Sequence, residues 1–188
     1  MIFFRIISES QELFRLFVVH AVHTVQWVIN MMKVNWKNLA FWVLLAEAVG
    51  ALSGFLSRNG TEIYQQTVTQ PPLSPPGWVF PVVWGILYAL MGIGASLVSQ
   101  TNASPERSRG LNLMVAQLVV NFFWPLFFFN LQAFGFSLLW LLFLWGLVLW
   151  MILTFRRISP LAALLQIPYL LWLTFAIYLN AGVWYLNR

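Results

Sequence analysis

The sequence alternates long apolar stretches with polar connections, and the length of these stretches is its clearest structural signal. A helix needs about 20 apolar residues to cross the hydrocarbon core of a bilayer. Backbone groups in lipid must be satisfied within their own segment, which favours an α-helix for each stretch. Five stretches reach this length: Leu39 to Leu56, Val79 to Val98, Leu111 to Asn130, Phe134 to Phe155 and Leu161 to Leu186. The pattern predicts an all-α integral membrane protein whose residues 39–188 form a five-transmembrane-helix bundle.

One connection is longer than the others and runs from Ser57 to Gly77. It contains four prolines: Pro71, Pro72, Pro75 and Pro76. Proline has no backbone N–H and favours an extended chain, so we expect a stiff extended connection before the second span. Trp78 is then expected at the membrane boundary.

Residues 1–38 differ because polar side chains interrupt their apolar stretch every three to four residues: Glu12, Arg15, His20, His23, Gln26 and Asn30. This spacing is typical of an amphipathic helix at the membrane surface. The alternative is a misassigned start, with translation beginning at Met31 or Met32. His20 and His23 make a weak metal site, because no acidic or Cys partner completes it. No metal site is therefore predicted.

The composition supports the membrane assignment and excludes several functions. The chain is 61% hydrophobic and only 8% charged, whereas about a quarter of the residues of a soluble domain are charged. Its formal net charge of +5 is too small and too scattered for a nucleic-acid groove. The absence of Cys excludes disulfides, thiolate catalysis and Cys-type metal sites.

The basic residues are divided unequally between the two ends of the predicted spans. The side of the N-terminus has Lys33, Lys37, Arg107, Arg109, Arg156 and Arg157. The opposite side has Arg58 and Arg188. We expect the protein in a bacterial cell membrane. Because cytoplasmic loops carry the excess of Lys and Arg, its N-terminus should be cytoplasmic and its proline-rich connection should face outward.

Aromatic and amide side chains recur at helical spacing in three of the spans. The three stripes are Trp84, Tyr88 and Met91, then Gln117, Asn121, Trp124 and Phe128, then Trp172, Ala176 and Asn180. Each stripe lies on one helix face. Amides are costly in lipid, so their side chains should point inward, where they either bond between helices or face a cavity. Such stripes often serve helix packing alone, but with 11 Trp in the chain they also indicate a pocket with aromatic walls.

The predicted spans hold few groups that carry out conventional enzyme chemistry. They contain no His or Cys, no carboxylate pair and no nucleotide or nucleophile motif, so no required cofactor is predicted. Glu47 is the one acid within the spans and is a candidate for function; pairing with Arg58 or a neutral donor, or contact with water, is the alternative. Ala46, Gly50 and Gly54 form a small-residue stripe, for which helix packing is the expected role.

Three ordered stretches carry a resemblance to a known family. They are Pro75 to Gly92, then Gln117 to Phe128 with Trp124-Pro125, then Ser159 to Asn180 with Pro168-Tyr169 and Trp172. Over residues 39–188 the chain resembles the translocator protein family, also called TspO/MBR or tryptophan-rich sensory proteins.

The resemblance implies a five-helix bundle, commonly a homodimer, whose cavity binds porphyrins such as protoporphyrin IX. In some members it also binds cholesterol and benzodiazepine-type drugs. By motif position, Trp84 and Trp172 correspond to pocket tryptophans that some bacterial members link to light-dependent porphyrin breakdown. Tyr64, Asn121, Trp124 and Ala176 correspond to other cavity positions. The proline-rich connection corresponds to a lid.

One stretch of this chain departs from the family's usual sequence, and one further motif occurs near the C-terminus. Where the family often has Lys-Pro-x-Trp, this chain has Gln70, Pro71, Pro72 and Leu73, so the lid lacks an aromatic ring and a cation that could meet a propionate. A loose cholesterol motif near the C-terminus is satisfied by Val183, Tyr185 and Arg188. An interfacial Tyr and Arg explain the same residues equally well.

Three functions remain open at this point. The first is a tetrapyrrole-binding sensor or regulator that assists light-dependent porphyrin degradation. The second is a transporter of porphyrin or sterol-like amphipathic molecules, and the third is a structural or partner-binding membrane protein. Contact with membrane lipid is expected in each case, and nucleic acid is a partner in none.

Overall fold

The structure, a computed structural model, describes residues 35–188, of which Lys37–Arg188 form one compact unit. Its helices are α1 (Trp36–Thr67), α2 (Val79–Ser99), α3 (Pro105–Pro125) with a following π-helix (Leu126–Asn130), α4 (Phe134–Ile158), α5 (Pro160–Leu164) and α6 (Ile167–Leu186). The predicted N-terminal extension, with His20 and His23, lies outside the described residues except for its last four positions.

Five segments in this part of the chain are long and apolar enough to cross a membrane: Trp36–Thr67, Val79–Ser99, Pro105–Asn130, Phe134–Ile158 and Pro160–Leu186. The part of the chain that the structure describes has no strand. The predicted all-α, five-span architecture is confirmed, and the chain is an integral multi-pass membrane protein.

Two Ser-Pro pairs set the starts of α3 and α5. The Ser104 hydroxyl accepts a hydrogen bond from the Arg107 backbone N–H at 3.1 Å, and the Ser159 hydroxyl accepts one from the Ala162 N–H at 3.3 Å. In each case proline follows at the first helical position, where its missing N–H is not needed. These local signals begin the third and fifth spans.

The prediction of a non-helical connection from Ser57 was wrong for its first part, because α1 continues to Thr67. Polar sequence there read as a loop by hydropathy, but tertiary contacts support a helix. Gly60 lies against the backbone of Phe129, where an added Cβ would approach the carbonyl oxygen to 2.7 Å. The Tyr64 ring packs on the Phe129 ring with centroids 5.2 Å apart. These contacts with the π-helix stabilise the last turns of α1, whose polar sequence is not suited to burial in lipid.

Two spans predicted as continuous helices contain irregular segments. After Pro125 the third span becomes the π-helix, where a residue without a backbone N–H interrupts the regular bonding. The fifth span is interrupted at Leu165 and Gln166, between α5 and α6. Gln166 is fully buried there, and its side-chain amide donates to the Leu90 carbonyl of α2 at 3.2 Å.

The helices pack unequally. α4 contacts α3 and α6 along their lengths and contributes fully buried side chains, including Leu144, Val148 and Phe155. α1 meets α2 most closely at Gly92, where an added Cβ would lie 2.5 Å from the Val43 Cα. Close backbone contact of this kind requires glycine, as is common between membrane helices.

Candidate ligand-binding cavity

A cavity of about 750 Å³ lies between α1, α2, α3 with its π-helix, α6 and the connection that follows α1. This volume is within the range of small-molecule sites. Of the long helices, α4 alone provides none of the lining residues within the described part of the chain. The cavity is therefore enclosed on one side by the packed α3 and α6 and on the other by α1.

Nine of the ten residues predicted to bind a ligand line this one cavity. They are Tyr64, Trp84, Tyr88, Asn121, Trp124, Phe128, Trp172, Ala176 and Asn180. The three stripes that the sequence places on separate helices therefore face each other. The stripes were predicted from helical spacing, but only helix packing could bring them together.

Gln117 is the exception: it does not line the cavity but bonds between helices, the other role open to an inward-pointing amide. It is fully buried beneath the cavity, where its amide oxygen accepts a hydrogen bond from the Tyr169 hydroxyl at 3.0 Å. Its amide nitrogen lies 3.4 Å from the Met114 sulfur and 3.7 Å from the Met91 sulfur. Gln117 is one turn of α3 deeper than Asn121, so its stripe continues from the cavity into the packed core.

The inward-pointing amides that line the cavity hold its walls together. The Asn121 side-chain amide donates to the Tyr88 hydroxyl at 3.1 Å and links α3 to α2. The Trp124 indole N–H donates to the Asn180 amide oxygen at 3.3 Å, and the Asn180 amide nitrogen donates to the Phe134 carbonyl at 2.8 Å. The prediction that these amides point inward is confirmed. They position aromatic rings around the cavity.

Trp84 and Trp172 are half-buried, and both face the cavity. The Trp84 ring lies 5.5 Å from the Tyr88 ring at an interplanar angle of 31°, and the Trp172 ring meets the Phe80 ring edge-on at 6.0 Å. Among the described residues, neither indole N–H has a hydrogen-bond acceptor, in contrast to that of Trp124. Both rings therefore offer a flat face and a free donor to a ligand.

The connection after α1 covers the outer end of the cavity. Ser74, Pro75, Pro76 and Gly77 line the cavity, so this connection lies where the resemblance implies a lid. We predicted an extended connection, but part of it forms a turn. Leu73 has φ of 68°, and the Ser74 N–H and hydroxyl both donate hydrogen bonds to the Pro71 carbonyl. This turn directs the chain back over the cavity.

Contacts that sequence reasoning missed fasten this lid to α6. The Thr69 N–H donates to the Asn187 side-chain oxygen at 3.0 Å, and the Asn187 side-chain nitrogen donates to the Thr69 carbonyl at 2.9 Å. The Tyr178 hydroxyl donates to the Pro72 carbonyl at 3.0 Å. The bonded residues are more than 100 positions apart in the sequence, and each bond involves a backbone atom. Such contacts leave no local sequence pattern from which they could be predicted.

The lining has one acid and no base. Glu47 lines the cavity, which has no Lys, Arg or His side chain in its lining within the described chain. The suggested pairing of Glu47 with Arg58 is not found; the Arg58 guanidinium lies over the Phe55 ring, 4.5 Å from its centroid. The cavity lining is therefore mainly apolar and aromatic, with several hydroxyl and amide side chains and a single carboxylate.

The small-residue stripe of α1 has two roles, one of them not predicted. Ala46 is fully buried, and Gly50 packs against the Tyr88 ring, as expected for close packing. Gly54, by contrast, lines the cavity, and an added Cβ would meet no atom within 4 Å. The packing prediction was wrong for Gly54, whose missing side chain leaves space for a ligand.

The residues of the loose cholesterol motif do not share one surface. Val183 is fully buried, whereas Tyr185 is exposed and the Arg188 guanidinium lies 4.5 Å from the centre of its ring. Within the described chain, none of the three lines the cavity. Their arrangement is that of a membrane-boundary cation–π pair beside a core residue.

Comparisons with known proteins agree with this architecture. The sequence profile of the TspO/MBR family matches residues 42–186. The chain is 35% identical over 151 residues to a tryptophan-rich protein TspO of Chlorobaculum tepidum, covering 80% of this chain and 96% of that protein. It is 37% identical over 144 residues to the human translocator protein, covering 74% and 85% of the two chains. It is 36% identical over 149 residues to the protein CrtK of Rhodobacter capsulatus, covering 79% and 91%. The chain therefore belongs to the TspO/MBR family.

Proposed function

We propose that this protein is a membrane sensor or regulator that binds a tetrapyrrole, such as protoporphyrin IX, in the cavity and assists its light-dependent breakdown. The observation that carries the proposal is the pair of cavity tryptophans, Trp84 and Trp172, whose rings and free indole N–H groups face a space of about 750 Å³. Flat aromatic faces suit a flat macrocycle. A bound porphyrin supplies the absorption of light.

The roles of the residues follow from their placement. Trp84 and Trp172 provide stacking faces and hydrogen-bond donors, and indole is the side chain in this cavity most readily oxidised by an excited ligand. Asn121, through the Tyr88 hydroxyl, keeps the neighbouring ring in place. The lid, whose Pro75 and other residues line the outer end, limits exchange of the ligand with water.

The name of one relative favours a sensory role. One relative from Cereibacter sphaeroides, 31% identical over 156 residues, is named a tryptophan-rich sensory protein. Packing inside the bundle also favours binding over passage. Beneath the cavity Met91, Met114, Gln117 and Tyr169 are fully buried, so the bundle interior is filled there.

We also propose that the N-terminal end of α1 faces the cytoplasm. Lys37, Arg107, Arg109, Arg156 and Arg157 occur at the ends of helices opposite the lid, which is the distribution that the positive-inside rule expects for a cytoplasmic face. The lid then faces outward. Labelling of single cysteines, placed at Ser108 and at Ser74, by a membrane-impermeant thiol reagent on intact cells tests this: only the second should react.

The first experiment is a titration of the purified protein with protoporphyrin IX. Tryptophan fluorescence is followed in the dark, and porphyrin absorbance is then followed under illumination. We expect saturable quenching near one porphyrin per chain, and porphyrin loss that is slower in Trp84→Phe and Trp172→Phe. Trp150→Phe is the matched control, because Trp150 is exposed on α4, away from the cavity lining.

The outcomes separate the three functions. Unchanged loss rates in both cavity variants would remove the proposed photochemical role while leaving binding in place. Porphyrin flux into protein-containing liposomes would indicate a transporter, and stoichiometric binding without flux supports the sensor. Absence of saturable quenching would contradict tetrapyrrole binding.

A further inference from the structure

We propose that the inner end of the cavity is a binding subsite for the protonated amine of a flat amphipathic molecule, formed by Glu47 and Tyr88, with Trp84 one turn of α2 nearer the lid. The subsite lies in the cavity to which the tetrapyrrole proposal refers. It does not depend on that proposal, because the group recognised is a cation and not a macrocycle.

The position of Glu47 marks the inner end. It is the α1 lining residue furthest along the helix from the lid; Tyr64, near the lid, is 17 positions later, about 25 Å at the rise of an α-helix. Gly50 packs against the Tyr88 ring. Residues three apart are neighbours on a helix surface, so Glu47 lies one turn from that contact, on the same side of α1.

No described protein group neutralises this carboxylate. Glu47 makes no ion pair or hydrogen bond with the described residues, and no basic side chain of the described chain lines the cavity. The cations of α1 are distant: Lys37 and Arg58 are about 15 and 16 Å from Glu47 along the helix axis, and the Arg58 guanidinium lies over the Phe55 ring. A carboxylate inside a membrane protein is costly without a partner. A ligand cation at this end would supply that partner.

The Tyr88 ring, which packs on Gly50 one turn from Glu47, adds a second, independent attraction for a cation, and the Trp84 ring extends this aromatic wall towards the lid. Trp84 and Tyr88 lie 5.5 Å apart at 31°, and both line the cavity. The bond from Asn121 to the Tyr88 hydroxyl holds the second ring in place. Aromatic faces attract ammonium groups through their quadrupoles, with Trp the most effective. A carboxylate in the same wall region as these faces favours an amine and repels an acid.

The same charge arrangement orients larger ligands. A molecule that carries both an apolar ring system and carboxylates would place its carboxylates at the lid end, away from Glu47, where the lining includes the polar Gln65, Gln70 and Ser74. An amphipathic amine would enter with its charge inward. Glu47 therefore selects both ligand class and direction of binding.

The test compares two probes that differ in one group, 1-pyrenemethylamine and 1-pyrenemethanol. Binding to the full chain in phosphatidylcholine nanodiscs is measured by energy transfer from tryptophan to pyrene. We expect the wild-type protein to bind the amine more tightly than the alcohol. In Glu47→Gln the amine should bind about tenfold more weakly, the loss of one charge-assisted contact, while the alcohol is unchanged.

Glu62→Gln is the matched control, since Glu62 is exposed on the same helix outside the cavity lining and its removal should change neither affinity. Comparison of this control with Glu47→Gln also cancels the signal from cationic probe that is dissolved in the lipid, because that signal is the same for both variants. Equal amine affinity in the wild type and Glu47→Gln would overturn the proposal. So would a wild-type protein that binds the alcohol as tightly as the amine, a comparison that decides the question even if Glu47→Gln fails to fold.

A parallel titration with protoporphyrin IX separates this inference from the proposed function. Glu47-dependent amine binding without porphyrin binding would leave the subsite standing and remove the tetrapyrrole. Porphyrin binding with no Glu47-dependent preference for the amine would support the tetrapyrrole proposal and remove the amine subsite.

Discussion

α1 and α4 are both apolar membrane helices, yet the bundle uses them in opposite ways. In the most apolar part of α1 only 11% of the residues are buried within the protein, against 39% in α4. α1 nevertheless supplies nine of the cavity-lining residues, and α4 supplies none. The bundle therefore consists of a packed side, centred on α4, and a cavity side, of which α1 is the wall.

The difference has a physical cause. Large side chains of α4, such as Phe155 and Leu144, fill the space against α3 and α6. The inward face of α1 instead carries small residues, Gly50, Ser53 and Gly54, which approach closely at a few points and leave space elsewhere. Without a hydrophobic force between helices in lipid, packing area determines how firmly a helix is held. Among the five described spans, α1 has the smallest buried share.

The largest effect is expected from removing a packed ring. Phe155→Ala on α4, where the side chain is fully buried, should lower the free energy of unfolding by about 3–5 kcal/mol because it leaves a cavity in the core. Phe55→Ala on α1, where the side chain is 59% exposed, should cost below about 1 kcal/mol. Unfolding by SDS titration in bicelles measures both. Equal losses would contradict the division into a packed side and a cavity side.

A smaller loss is expected at the close backbone contact between α1 and α2. Gly92→Ala would place a Cβ 2.5 Å from the Val43 Cα and 2.7 Å from its backbone N, so α1 must move outward. We expect destabilisation by about 2 kcal/mol in the same unfolding assay. Gly85→Ala on the same helix is the control, because an added Cβ there meets no atom within 4 Å. A neutral Gly92→Ala would show that α1 is not held at this point.

The smallest change in stability, with a selective loss of binding, is expected from filling the cavity. Gly54→Leu projects into open space, so the fold should remain within about 1 kcal/mol of the wild type. Ligand affinity should fall by about tenfold or more, since the side chain occupies space that a ligand needs. Gly146→Leu, in equally open space on α4, should bind normally. Titration of each variant with protoporphyrin IX and with 1-pyrenemethylamine measures the effect.

Much of the site was predictable, and the failures share one cause. Trp84, Tyr88 and Asn121 were identified because helical spacing reports which residues share a face. Gln117 has the same spacing, yet the depth at which a stripe leaves the cavity depends on where neighbouring helices pack. Gly54 resembled a packing residue for the same reason. Periodicity defines the face of a helix but not the level at which that face meets its neighbour.

The five spans, their helical nature, the family and most of the cavity-lining residues followed from the sequence by itself, because lipid imposes length, apolarity and backbone satisfaction on each segment separately. Only the tertiary structure decided the rest: the continuation of α1 to Thr67, the fastening of the connection after α1 by Asn187, and the place of Glu47 in a cavity lining that holds no basic side chain within the described chain. Each depends on atoms brought together from distant positions, and contacts of this kind leave no period in the sequence.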